Sequence, residues 1–411
     1  MQYTHGKTDC KPGEVGYNEQ RLDVLNGHFQ RVIDDGEIQC AAYCLSRSGK
    51  IFAHGAIGKK SFRKDDNTPV QPDSVRYIAS MTKTFTAVAI MKLVEDGVTR
   101  LDVPVGEILP QFNTPPFNGV TLFQLLTHTS GMHADHGCFE NKYQTNYWDI
   151  IDAAYRLHKT AASAEPQRGE GSPQKDGEFD WIAAALGTIG NGFRVKPDTE
   201  WAYCSFGFVI LGAVIEKLTG IHAHKYIEEN ICKPLGMKDT TFTCTPEMAK
   251  RYIVTDERQE KEINGIINGT YEPQWIGEKL NIPSTGGGLD STVYDMIRFA
   301  NMTLGGGTFD GVRILGRKAM EKMTTIAVRY PNYCWGANER ERFYGVGFDM
   351  RNGPAFTFSQ NTYCHEGSGA CAMYIDPKEE LAAVWIVPFA KEGWWSRALF
   401  NVVNVIWSGL L

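Results

Sequence analysis

Strand-forming segments stand at both ends of this chain and are scarce between them. Near the N-terminus an amphipathic helix pattern, "YNEQRLDVLNGHFQRVIDDG", precedes "QCAAYCLSRSGKIFAHGAIG", which reads as two strands around a turn at Ser48-Gly49. Near the C-terminus "FYGVGFDM", "CAMYID", the turn at Asp376-Pro-Lys-Glu and "ELAAVWIVPF" give strands again, followed by a closing helix, "SRALFNVVNVIW". From Thr84 to about Gly305 the pattern is mainly helical with long polar loops, the longest from about Ala161 to Phe179. This arrangement implies an α+β fold: an antiparallel sheet flanked by helices and built from both termini, with an all-helical lobe inserted. Residues 1–84 and 305–411 are therefore expected to form the sheet domain and 85–304 the helical domain. A chain of 411 residues is long enough to bury the core of two such lobes.

The segment that enters the helical middle, "YIASMTKTFTAVAIMKLVEDG" (Tyr77 to Gly97), carries chemistry. Phe85, Val88, Met91 and Leu93-Val94 recur with the period of a core-facing helix, and Gly97 supplies its stop. Residues three apart are neighbours on a helix, so the amine of Lys83 can reach the hydroxyl of Ser80, as a serine nucleophile needs. Ser-x-x-Lys occurs three times in the chain. The pairs Ser61 to Lys64 and Ser172 to Lys175 lie in charged or Gly/Pro-containing stretches. The bland reading of the Ser80 pair is a helix N-cap and a solvated first-turn lysine; unlike the other two pairs, however, it precedes an apolar helix able to bury and desolvate the lysine.

Several function classes fall away. A net charge of −6 offers no basic footprint for nucleic acid. The opening "MQYTHGKTDCKPGEVGYNEQ" has no apolar secretory core, and no apolar run approaches membrane-spanning length, so a soluble cytoplasmic protein without membrane partners is expected. The ten cysteines contain no C-x-x-C pair, which favours reduced, buried thiols; Cys204 reads as a small packed one. His133-Ala-Asp135-His136 is most of an H-x-H-x-D-H zinc signature, but Gly131 stands at the first histidine's place and no strand precedes it. We assign these residues to a loop near the cleft mouth and expect no metal. The glycines at 286 to 288 read as a loop entering a helix capped by Ser291 or Thr292, with Asp295 closing a capping box. No cofactor is implied.

Taken in order, the landmarks Ser80-Met-Thr-Lys83, "LLTHTSGM" from Leu125, "KPDTEWAYCSFGFVILGAVIEKLTG" from Lys196, "TGGGLDSTVYDMIRFA" from Thr285, "YGVGF" from Tyr344 and His365-Glu366-Gly367 resemble the serine β-lactamase and penicillin-binding-protein superfamily, in its class C-like branch of esterases and acyltransferases. The resemblance runs from about Leu22 to the C-terminal helix. It implies that Ser80 is the nucleophile and forms an acyl-enzyme, that Lys83 and Tyr203 are the acid-base pair, and that the backbone N–H groups of Ser80 and Ser368 form the oxyanion hole. For Lys83 to be a base its pKa must fall from ~10.4 by about three units, worth about 4 kcal/mol. Which of Lys83 and Tyr203 takes the serine proton is left open.

Two departures bear on substrate. Ser205 stands where the family usually has Asn, and one hydroxyl cannot be both amide donor and amide acceptor. His365 stands where antibiotic-processing members have Lys, with Gly367 retained, so a permanent cation for a carboxylate is lost. Both point to a neutral or larger ester or thioester, with an acyl-carrier as a possible donor and water or a small alcohol or amine as acceptor. His365 is assigned to orienting Tyr203 or the acyl group, or to structure alone. Trp148, Tyr143, Tyr147 and Trp181, with Trp335 and Trp394-Trp395, are candidates for an apolar pocket. The alternatives are a non-hydrolytic isomerase or cyclase using Lys83 and Tyr203 as acid and base, a β-lactamase or D-Ala-D-Ala peptidase, and a silent binding protein. Oligomeric state is not encoded legibly.

Overall fold

The structure, a computed structural model, describes residues 3–132, 135, 147–164, 179–189, 196–332, 341–352, 356–369, 371–390 and 397–411. Thirteen strands are described: β1 (Thr4–His5), β2 (Cys40–Arg47), β3 (Lys50–Gly58), β4 (Arg76–Tyr77), β5 (Asp290–Ser291), β6 (Thr308–Phe309), β7 (Val312–Arg313), β8 (Val328–Pro331), β9 (Glu341–Tyr344), β10 (Asp349–Arg351), β11 (Thr362–Gly367), β12 (Cys371–Asp376) and β13 (Leu381–Ile386). Nine of them form one antiparallel sheet in the order β1-β3-β2-β13-β12-β11-β10-β9-β8. The two chain ends meet inside it, where β2 pairs with β13 in the register Cys44 to Val384 and Arg47 to Leu381. Ser48 and Gly49 both adopt left-handed backbone, φ 50° and 78°, which matches the twist a two-residue hairpin turn needs between β2 and β3.

Each sheet face is covered. On one side the Gln20–Asp34 and Val402–Trp407 helices bury Phe29, Val32, Val403 and Trp407 against Tyr374 and Trp385. On the other, the Val293–Leu304 helix lies across β2, β12 and β13. Apolar packing there continues from Cys44 and Val384 of the sheet through Phe85 and Val88 to Leu125, Phe208 and Leu211 of the helical segments.

The Thr82–Glu95 helix sits in the middle of this core. Residues Thr82 to Met91 are all buried, so the helix is enclosed on nearly every side rather than presenting one apolar stripe. Its buried hydroxyls are satisfied: Thr84 donates to the carbonyl of Met81 and Thr86 to that of Thr285. The short β4–β5 pair joins the segment before Ser80 to the segment after the glycine loop, with Tyr77 opposite Asp290. Thr292 caps the following helix by accepting the Asp295 N–H at 3.1 Å. The Asp295 carboxylate does not close a capping box; it accepts the Asp239 N–H and the Thr240 hydroxyl. Among the described residues no single helix is long and apolar enough to cross a membrane; one bent pair, Ser205–Thr219 with Ala223–Cys232, passes by length and composition, and its apolar residues lie in the core.

Candidate active site

The position of Ser80 follows from the backbone before it. Ala79 is held at φ 47°, a left-handed conformation that costs an alanine steric strain, and a turn over Ala79–Met81 then feeds the Thr82–Glu95 helix. Ser80 emerges half-buried at this turn, while Lys83, a few residues on, is fully buried. The Lys83 Nζ donates to Ser80 Oγ at 3.0 Å and to the carbonyl oxygen of Gly286 at 2.6 Å. The β4–β5 pairing delivers that carbonyl, and a Cβ at position 286 would stand 3.0 Å from the Ser205 carbonyl oxygen. A residue without a side chain lets the loop pass between the lysine and the next helix.

That next helix, Ser205–Thr219, packs along Thr82–Glu95 and brings in Tyr203 just before its first turn. Lys83 Nζ lies 4.8 Å from the centre of the Tyr203 ring, and the Ser80 hydroxyl acts on the phenol, favouring its ionised form against burial. Hydroxyl, amine and phenol therefore converge in one place. His128 backs the tyrosine: its ring lies 4.4 Å from that of Tyr203, and its Nδ1 accepts the Cys204 N–H at 3.1 Å.

Burial dominates the electrostatics. It pulls the Lys83 pKa down to about 8 against the charge of Asp135, which pushes the other way. It raises the Tyr203 pKa well above its ordinary value, with Ser80's hydrogen bond opposing and the charges of Asp135, Asp349 and Glu366 adding. The phenol is thus held neutral, and about a tenth of Lys83 is free amine at pH 7. Burial first, then the Lys83 charge, lowers His365 to about 4 and His128 well below the imidazole range, so both rings are neutral. Burial also pushes the Cys204 thiol up to about 12, which leaves it unreactive.

Strand β11 forms the opposite wall. A Cβ on Gly367 would stand 2.3 Å from the carbonyl oxygen of Ile78, so β11 lies directly on the turn that carries Ser80, and Cys371 on β12 donates its thiol to the same carbonyl at 3.2 Å. Ser368 follows, exposed, at the end of the strand. His365 Nδ1 pairs with the Glu366 carbonyl oxygen at 2.8 Å; as the donor there, it leaves Nε2 as an acceptor. Its ring lies 6.3 Å from that of Tyr203.

Behind His365 runs a buried ion network: Glu366 pairs with Arg351 at 2.6 Å, Arg351 lies 3.6 Å from Asp349, and Asp349 pairs closely with Arg342. Asp349, Cys364 and Glu366 bring ligand atoms within 4.8 Å of one another. Two guanidinium groups already neutralise the carboxylates, however, and burial holds the thiol protonated. Charge-paired side chains of this kind suit a structural cluster better than a cation site.

Two participants escape a linear reading. Asp135 appears in sequence as part of a histidine-rich loop, yet its carboxylate accepts both the Ser205 N–H at 2.8 Å and the Ser205 hydroxyl at 2.5 Å, and its own N–H donates to the Tyr203 carbonyl at 2.8 Å. Ser205 is thereby engaged with a carboxylate. His128 lies inside the landmark that starts at Leu125, but that stretch alone gives it no role; only chain crossing places it against Tyr203. His133, His136, Tyr143, Trp335, Trp394 and Trp395 lie outside the described residues, as does the side chain of Tyr147. Trp148 packs on Gly277, where a Cβ would come within 2.5 Å of its ring, and Trp181 packs against the main core.

Comparison with known proteins adds family evidence. A family model described as Beta-lactamase matches residues 25–391. Esterase EstB of Burkholderia gladioli is 26% identical over 296 residues, covering 68% of this chain and 68% of its own. Among solved structures, a penicillin-binding-protein homologue from Caulobacter crescentus superimposes with a TM-score of 0.71 at 17% identity over 100% of both chains. EstCE1, described as a hydrolase with promiscuous acyltransferase activity, gives a TM-score of 0.70 at 17% identity, covering 95% of this chain and 99% of its own. These last two likenesses concern the fold.

Proposed function

Since the chain belongs to the Beta-lactamase family, we propose that it is a serine acyl-transfer enzyme, an esterase or small-molecule acyltransferase, acting on a neutral ester or thioester. The observation that carries this reading is the 3.0 Å contact from a fully buried Lys83 amine to the Ser80 hydroxyl, with Tyr203 against both. Esterase EstB and EstCE1 support it by their descriptions.

In the proposed cycle neutral Lys83 takes the Ser80 proton as Oγ attacks the acyl carbon. The resulting oxyanion is held by the N–H groups of Ser80 and Ser368, each such donor being worth about 3 kcal/mol. As the tetrahedral adduct collapses, the Tyr203 phenol protonates the leaving oxygen or sulfur and the Lys83 ammonium restores the phenol. The acyl–Ser80 ester then passes its acyl group to water or to an alcohol or amine by the same steps in reverse. The opposite assignment, Tyr203 as the first base, is disfavoured by a phenol whose ionised form is penalised by burial and by three carboxylates. A neutral imidazole at His365 and a Ser205 hydroxyl tied to Asp135 offer no permanent cation for a substrate carboxylate and no paired amide donor and acceptor. Both features weigh against β-lactam or peptide substrates.

The test is intact-protein mass after incubation with an activated ester. An adduct of acyl mass that is absent in Ser80→Ala is the expected result. Undiminished turnover by Ser80→Ala would overturn the covalent mechanism in favour of acid-base chemistry alone.

A further inference from the structure

We propose that Asp135 is a positioning residue of this site: it fastens the Tyr203–Ser205 corner in place and presents a carboxylate charge to the Lys83 ammonium. The inference rests on the acyl-transfer reading above and adds a residue to it.

The anchoring is geometric. The Asp135 N–H donates to the Tyr203 carbonyl at 2.8 Å, and the carboxylate accepts the Ser205 N–H at 2.8 Å and the Ser205 hydroxyl at 2.5 Å. Three hydrogen bonds thus straddle the two residues on either side of Cys204, where the chain changes from extended backbone to the Ser205–Thr219 helix. A carboxylate at a helix N-terminus accepts otherwise orphaned N–H groups and complements the helix dipole, so a capping role alone would explain the contacts. The second observation separates the two roles. Asp135 is the foremost charge acting on Lys83, and it opposes the burial that depresses that amine. Among the described residues the other titratable and hydroxyl groups facing Lys83 are the Cys204 thiol, the phenol of Tyr203, the Ser80 hydroxyl and the neutral rings of His128 and His365. None of these carries a negative charge at neutral pH, because burial keeps both the thiol and the phenol protonated.

A carboxylate facing an ammonium favours the charged lysine. Removing the charge should therefore make Lys83 easier to deprotonate, and the acid limb of the pH–rate profile should move to lower pH even where the rate itself falls. Loss of a cap alone would lower the rate and leave the limb in place.

The experiment compares kcat/KM from pH 5.5 to 9.5, with an activated ester as substrate, for the full-length protein and for Asp135→Asn, Asp135→Ser, Asp135→Glu and Ser205→Ala, with Ser80→Ala as control. Asparagine and serine are both good helix caps, so two neutral variants guard against a misfolded one. The expected result is an acid limb lower by about one pH unit in the neutral variants, near its wild-type position in Asp135→Glu, and unmoved in Ser205→Ala, which lacks the hydroxyl but keeps the charge. A wild-type limb in either folded neutral variant overturns the proposal. Turnover that persists in Ser80→Ala would instead remove the acyl-transfer reading itself, so the two failures are distinguishable.

Discussion

Replacing Gly367 with alanine tests the closeness of β11 to the turn that carries Ser80. Gly367 lies in ordinary strand backbone, so alanine meets no conformational penalty there and the effect comes from contact alone. The added methyl would sit 2.3 Å from the Ile78 carbonyl oxygen and 2.5 Å from Cys371 Sγ. Neither side yields easily. Ile78 is held by its N–H to Leu289 and by its carbonyl, which accepts from Met81 at 3.2 Å, while Gly367 is paired with Cys371 in a five-residue register between β11 and β12. Strand and turn must therefore separate by roughly 1 Å, and a displacement of that size costs about 100-fold in rate when it misplaces reacting groups. If the Ser368 N–H is withdrawn entirely from the oxyanion, the loss approaches 1,000-fold, or about 4 kcal/mol. Overpacking of this kind destabilises by about 1–3 kcal/mol, which a core of this extent withstands. The assay is kcat/KM with an activated ester, alongside a thermal melt and the mass of the acyl-enzyme. The expected outcome is a folded protein with kcat/KM reduced by two orders of magnitude or more. An alanine variant within threefold of wild type would refute the claim that β11 and the Ser80 turn are held in contact to form the oxyanion site.

Other consequences are as concrete. Because burial lowers the Lys83 pKa to about 8 and the free amine is the proposed base, kcat/KM should rise about tenfold per pH unit below neutrality and level off near pH 9; a profile flat from pH 6 to 9 would contradict Lys83 as the base. The same burial penalises folding while Lys83 is charged in both states, so Lys83 alone makes the protein more stable as pH climbs from about 8 toward the unfolded value. Arg351→Leu removes a buried cation from between Glu366 and Asp349 and should destabilise by about 3–5 kcal/mol, read as a lowered melting temperature and denaturation midpoint. An unchanged melt would mean that the network contributes no cohesion.

What could be read along the chain was what depends on neighbours in sequence. Ser80 and Lys83 sit three apart, and helical geometry alone brings their side chains together. The strand patterns at the two ends required a partner, so a sheet built from both termini was legible, whereas the pairing of β2 with β13 inside it came from the structure. The Thr292 cap also lay within reach, although the Asp295 carboxylate turned instead to the half-buried Asp239 N–H and the buried Thr240 hydroxyl. Tyr203 was found through the resemblance, since an aromatic residue at the head of an apolar helix ordinarily reads as core.

The working environment of those residues was decided elsewhere. Asp135 under Ser205, His128 beneath Tyr203, the Gly286 carbonyl on Lys83 and the Gly367 backbone against Ile78 each join segments far apart in the chain. No periodicity encodes such meetings, because they depend on how whole helices and strands cross and on which rotamers the crossing leaves open. The lysine's fitness for the proposed role of base is of the same kind. The sequence by itself determined that an amine stands one helical turn from a hydroxyl; the tertiary fold decided that the amine is shut away from water, and it is desolvation that makes an ammonium release its proton near neutral pH.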